Sequence, residues 1–164
     1  MKRLYSWGEY LEMVDYARQV IPEVTFSSDF IVGFPGESEE DFQATLEAVR
    51  RVKYDQIFSF KYSERPGVPA AKLPDDIPDD EKKSRLARLI QLQEKIWNEE
   101  ADKQVGTIWT GIVESPARRP EGAWQLRTAN NRKVVVKGGS YEIGEQVSTR
   151  IVGFKNTTYL GETI

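Results

Sequence analysis

The chain has 164 residues, 39% of them apolar, a net charge of −3, and neither cysteine nor histidine. Its own side chains therefore offer no thiolate for an iron–sulfur cluster, no typical zinc site, no disulfide, no thiol nucleophile and no Ser/His/Asp triad. The length suits one ordinary domain or two small ones. No apolar run approaches the ~20 residues of a membrane helix, and residues 1–8 lack the apolar core of a signal peptide, so a soluble, cytoplasmic protein is expected.

The first helix is marked at both ends. Ser6 and Glu9 fit a capping box. Tyr10, Leu11, Val14, Ala17, Val20 and Ile21 recur at helical spacing, and Pro22 disfavours helical dihedrals at Ile21. The β-branched and aromatic run 24–32 predicts a strand, which ends in the turn 33–37. Ser38 then fits an N-cap, with Glu39, Glu40 and Asp41 in the first turn, Phe42, Leu46, Val49 and Val52 as an apolar stripe, and Arg50, Arg51 and Lys53 at the end. Acids first and bases last is the order the helix dipole favours. Residues 56–62 predict a second strand, and the order helix, strand, helix, strand implies parallel strands joined by a helical crossover.

Pro66, Pro69, Pro74 and Pro78 mark residues 63–80 as a loop and linker. A long helix is predicted from near Asp79, with Leu86, Leu89, Ile90, Ile96 and Trp97 as its apolar face. From Thr107 the texture changes. Short β-prone segments at 107–114, 124–128, 133–136, 146–152 and 158–164 are separated by turn residues, which suggests a small barrel. The domain boundary is placed at 102/103. Charge divides there too. Residues 103–164 carry nine Lys/Arg against five Asp/Glu, or +4, and the first 102 carry 14 against 21, or −7. That asymmetry points to a nucleic-acid surface on the basic part, or to two solvated domains with different surfaces.

Three places stand out as candidate sites. The turn Gly33, Phe34, Pro35, Gly36, Glu37 lies where α/β sheets bind ligands, at the C-terminal end of a strand, with two glycines allowing close backbone approach. A tight turn without a ligand has the same spacing. The segment Lys61–Ala71, containing Tyr62, Arg65 and Gly67, leaves the next strand end and either lines the same mouth or forms a proline-rich surface loop. In the basic tail, Arg118 and Arg119 precede Arg127, Thr128, Asn130, Arg132 and Lys133. Such residues contact phosphates, and guanidinium or aromatic planes stack on bases. The alternative is a basic hairpin around core tryptophans, and Trp109 is expected in the core. No carboxylate set marks a general acid–base pair or a metal site.

The run Asp29–Phe42, centred on Ile31-Val32-Gly33-Phe34-Pro35-Gly36-Glu37, resembles a segment of radical-SAM methylthiotransferases. Phe60–Ala71, with Arg65-Pro66-Gly67-Val68-Pro69, resembles their next segment, with Val68 where threonine is usual. Met1–Ser6 is similar to the start of the preceding helix, and Arg127–Val136 to their closing TRAM domain. The resemblance implies an α/β fold class: a partial (β/α) radical-SAM barrel segment over 1–102 and a small all-β, OB-like TRAM barrel over 103–164. It implies the C-terminal portion of the enzyme, starting ahead of the fifth barrel strand. The cluster-binding cysteines and the first part of the barrel would then lie in a preceding portion, which becomes a partner of this chain. The implied cofactors are S-adenosylmethionine and [4Fe-4S] clusters. The implied reaction is radical C–H to C–S conversion on adenosine in tRNA, followed by methyl transfer.

By position, Gly33, Phe34, Pro35, Gly36 and Glu37 would flank S-adenosylmethionine, and Tyr62, Arg65 and Gly67 the substrate mouth. Arg118, Arg119, Arg127, Thr128, Asn130, Arg132 and Lys133 would contact tRNA. The Arg65-Pro66-Gly67 form resembles the tRNA branch rather than the ribosomal-protein branch. A stand-alone RNA-binding module is the other reading. The chain alone is expected to be catalytically silent, and an open parallel sheet allows self-association.

Overall fold

In a computed structural model, which describes residues 4–164, the chain forms two compact units, one ending at Trp97 and the other spanning Asn98–Ile164. Met1, Lys2 and Arg3, and with them part of the Met1–Ser6 similarity, lie outside the described residues.

In the first unit, α1 (Trp7–Val20) starts at the expected capping box. Ser6 Oγ accepts the Glu9 N–H, and the Glu9 carboxylate accepts the Ser6 N–H at 2.6 Å. Val14 is buried, but Val20 and Ile21 are more than half exposed, so the apolar stripe ends before the helix does. β1 (Ser27–Val32) starts three residues later than expected. The Val24 N–H is tied back to the Ile21 carbonyl, and strand pairing begins only at Ser27↔Gln56.

α2 (Glu39–Val52) is capped by Ser38 and Asp41 in a second reciprocal box, and Phe42, Leu46, Val49 and Val52 are all buried, as their spacing predicts. β2 (Gln56–Lys61) pairs parallel to β1, as expected, through Val32↔Lys61. The proline-rich segment contains a short 3-10 helix, Pro69–Lys72.

α3 (Asp79–Asp102) is where the apolar face differs from the sequence reading. Leu89, Ile96 and Trp97 are buried as expected, but Ile90 is exposed and Leu86 only half-buried. Ala101 is buried too, and the remaining buried residues of the helix are polar: Lys82, Arg85 and Gln93. Each finds a partner outside the helix. Lys82 pairs with Asp75 and Arg85 with Glu37, whereas the Gln93 amide N–H donates to the Tyr54 carbonyl at 2.7 Å and leaves its Oε1 without a partner. The core gathers Val14, Val32, Phe42, Leu46, Val49, Val52, Tyr54, Leu89 and Ile96. The opposite sheet face leaves Ile31, Phe58 and Phe60 40%, 48% and 55% exposed.

The second unit is a closed five-stranded barrel. Its strands are β3 (Ile108–Pro116), β4 (Ala123–Thr128), β5 (Lys133–Lys137), β6 (Gln146–Lys155) and β7 (Thr158–Thr163). They run in the order β3-β4-β5-β7-β6, with β6 pairing back onto β3. Only β5 and β7 are parallel; the other neighbours are antiparallel. Val113, Leu126, Val134, Val136, Val147, Ile151 and Tyr159 point inward and are buried. Trp109 is only half-buried, which corrects its assignment to the core: it meets Tyr159 edge-on at 4.6 Å near one end of the strand.

Candidate functional site

The turn after β1 is built by two glycines with left-handed dihedrals, Gly33 (φ 70°) and Gly36 (φ 78°). A Cβ at Gly33 would collide with the aliphatic stem of Lys82, so this position requires glycine twice over. The turn's donors are engaged within the chain. The Glu37 carboxylate accepts the Gly33 N–H at 2.7 Å, and Asp76 accepts the Gly36 N–H at 2.8 Å. Glu37 is in turn gripped by Arg85, whose Nη1 reaches its carboxylate at 2.7 Å and its carbonyl at 2.9 Å. Burial works against the Arg85 charge, but the Glu37 and Glu81 carboxylates outweigh it and hold its pKa above the usual value.

Phe34 and Tyr62 meet edge-on at 5.2 Å, and the Lys82 ammonium lies 5.3 Å from the Tyr62 ring while paired with Asp75. Tyr62 thus joins the Gly33–Glu37 turn. Arg65 and Gly67 stay exposed on the following loop. Among the described residues, no group of three or more Asp, Glu, Cys or His gathers as a metal site.

On the barrel, the basic residues separate into two groups. Arg127, Thr128, Asn130 and Arg132 build the β4–β5 hairpin. Thr128 Oγ1 donates to Asn130 Oδ1 at 2.6 Å and accepts the Arg132 N–H at 2.9 Å, around Asn131 in a left-handed conformation. Arg127 donates from Nε to Glu114 at 3.0 Å and from Nη1 to the Asn131 carbonyl at 3.1 Å. The Arg132 guanidinium lies over Trp109 at 5.1 Å and Tyr159 at 5.7 Å.

Arg118, Arg119 and Lys133 instead line an open groove of ≈ 1210 Å³, together with Lys155, which sequence reasoning missed. The groove floor can be read from strand register. Ser115↔Gln125, Gln125↔Val135 and Val135↔Leu160 are paired neighbours, forming one transverse row across β3, β4, β5 and β7.

Glu114 stands beside this face. The Arg127 and Gln125 hydrogen bonds hold its carboxyl below the usual carboxylate range. A depressed folded-state pKa contributes stability above the ordinary value of 4.5 that is lost as pH falls through the folded value. The thermal midpoint of the barrel should therefore drop as pH falls below 4.5, and Glu114→Gln should flatten that dependence. Scanning both proteins by circular dichroism checks this; equal pH slopes would refute it.

These features define a two-unit protein: an α/β unit with a braced strand-end turn, and a small closed barrel with a cationic groove. No family model matches the chain. Over 162 residues it is 42% identical to the tRNA-2-methylthio-N(6)-dimethylallyladenosine synthase of Syntrophomonas wolfei, covering 99% of this chain and 36% of the relative. Proteins of the same name from Chlorobium chlorochromatii and Francisella tularensis subsp. novicida are 41% and 42% identical over 100% of this chain and 37% of theirs. A solved RNase R from Mycoplasma genitalium aligns at 13% identity and a TM-score of 0.35 over 56% of this chain and 20% of that one, too distant to inform the fold. By sequence the chain is similar along its whole length to these synthases. It spans about a third of the length of the curated relatives it matches. No helix among the described residues is long and apolar enough to cross a membrane.

Proposed function

We propose that this chain is the C-terminal, substrate-recognising part of a tRNA methylthiotransferase acting on N6-dimethylallyladenosine. Identity of 41–42% along the whole chain to synthases of that name carries the reading. Those names favour the tRNA branch over the ribosomal-protein branch. In this reading the first unit is the last part of a radical-SAM barrel and the second is a TRAM domain that holds tRNA.

The implied iron–sulfur clusters do not fit this chain, which has no cysteine or histidine to ligate them. They would be held by the preceding part of the enzyme. S-adenosylmethionine fits only in a limited sense. The Gly33 and Gly36 amides are already accepted by Glu37 and Asp76. Gly33, Phe34, Pro35, Gly36 and Glu37 would thus supply shape to its pocket, and Tyr62, Arg65 and Gly67 would border the adenosine.

A chimera tests the reading directly. This chain replaces the matching segment of the Syntrophomonas wolfei synthase, and methylthio-adenosine is measured in tRNA from cells lacking the native enzyme. The modified nucleoside is expected. A chimera that folds and keeps its clusters yet makes none, beside an active parent, would sink the proposal.

A further inference from the structure

The groove cations differ from those of the hairpin. Arg127 is locked to Glu114 and the Asn131 carbonyl, and Arg132 to two aromatic rings. Arg118, Arg119 and Lys155 make no ion pair among the described residues. Not one of the groove-lining residues is acidic. In a chain of net charge −3, four cations gathered around one depression without an acid mark a surface for a polyanion.

Register places the charges on two sides of the floor. Pro116↔Trp124 lies one step from the Ser115–Gln125–Val135–Leu160 row, toward the β3–β4 connection that carries Arg118 and Arg119. In the other direction, Val134↔Tyr159 brings the level of Lys133 to that of Thr158, and Thr158 pairs with Lys155. Lys133 and Lys155, 22 positions apart in the chain, thus share one rim. The floor between the rims is mixed: the largely buried Val135 and the more exposed Leu160 supply apolar surface beside Ser115 and Gln125, with Pro116 and Pro120 at its edge.

We infer that this groove takes an unpaired stretch of RNA, with phosphates on Arg118 and Arg119 along one rim and on Lys133 and Lys155 along the other, and base faces on the Val135–Leu160 floor. The inference rests on the reading of the barrel as an RNA-binding unit and assigns Lys155 to it while removing Arg127 and Arg132. The open volume exceeds the ~300–1,000 Å³ of ordinary small-molecule pockets, which favours a polymer. The apolar Val135–Leu160 stretch of the floor favours a single strand, because a duplex hides its base faces and offers mostly sugar and phosphate at its surface.

The test uses the full chain and a labelled single-stranded RNA of about 12 nucleotides, a length suited to small barrels, beside a duplex of the same sequence. Four phosphate contacts predict a salt slope near −2.8, so affinity should fall about 50-fold between roughly 50 and 200 mM salt. Lys155→Ala should weaken binding and flatten the slope by about 0.7. Arg127→Gln and Arg132→Gln, which remove hairpin charges, should leave the slope unchanged. If Lys155→Ala binds and titrates like the parent while the hairpin variants flatten the slope, the groove assignment fails and the RNA reading stands. Tighter binding to the duplex overturns the unpaired-strand inference. If neither RNA binds, or only an acidic peptide does, the RNA reading falls together with the inference.

Discussion

Replacing Arg85 with alanine should destabilise the α/β unit by about 3–5 kcal/mol, the usual result of removing one member of a buried ion pair. The two side chains are 7% and 10% exposed. Arg85 also reaches Glu81 through Nε at 2.8 Å and lies 5.5 Å from the Phe42 ring in the core. Without it, Glu37 keeps its bond to the Gly33 N–H but loses the cation that compensates its burial. Arg85→Lys should recover only part of the loss, because an ammonium cannot serve Glu37 and Glu81 in the fork geometry of a guanidinium. The double variant Glu37→Gln/Arg85→Met should be less damaged than Arg85→Ala, since it leaves no unpaired buried charge, the Glu81 carboxylate being part-exposed. Urea unfolding of the three variants checks this. A loss below about 1 kcal/mol for Arg85→Ala would mean that the pair is solvated and the turn is braced otherwise.

That pair also shows where sequence reading stops. The Ser6–Glu9 capping box, the Ser38 N-cap, the α2 stripe and the five barrel strands were legible because each is a local pattern: Ser6 and Glu9 are three residues apart, and the stripe follows the helical repeat. The seam of α3 was not. Its expected apolar face took in Leu86 and Ile90 and left out Lys82, Arg85 and Gln93, whose burial depends on Asp75, Glu37 and Tyr54 being in place to receive the polar groups. The strand-end turn was legible as a turn from Gly33 and Gly36, but the engagement of its amides by Glu37 and Asp76 was not.

The basic tail was legible only in part. Arg127, Arg132 and Lys133 cluster in sequence, and the first two make contacts within the barrel, while Lys155 looks isolated. Only the parallel β5–β7 pairing and the β6–β7 hairpin bring it level with Lys133. Density of charge along a chain measures what is close before folding; a binding groove depends on what is close afterwards.

Truncating Leu126 to alanine should destabilise the barrel by about 2–5 kcal/mol. Leu126 is fully buried on β4, paired with Val113 on one side and Val134 on the other, both buried too. The surrounding wall has little freedom to collapse into the space. Every strand has two partners in the closed ring, and its close approaches are set by glycines. A Cβ at Gly111 would stand 3.1 Å from Leu126 Cβ, and one at Gly161 would collide with the buried Thr149 hydroxyl. The loss therefore belongs in the upper half of the range, whereas the volume-conserving Leu126→Met should cost under ~1.5 kcal/mol. Hydrogen exchange of the β4 and β5 amides, read with urea unfolding, measures both. A Leu126→Ala barrel as stable as Leu126→Met would show that the interior repacks freely. The same side chain reaches the groove through the backbone, because Gln125 and Val135 on the floor are chain neighbours of Leu126 and Val134 inside. At temperatures where the variant stays folded, RNA affinity should fall while its salt slope holds, since the cations remain and only the floor between them has lost its support.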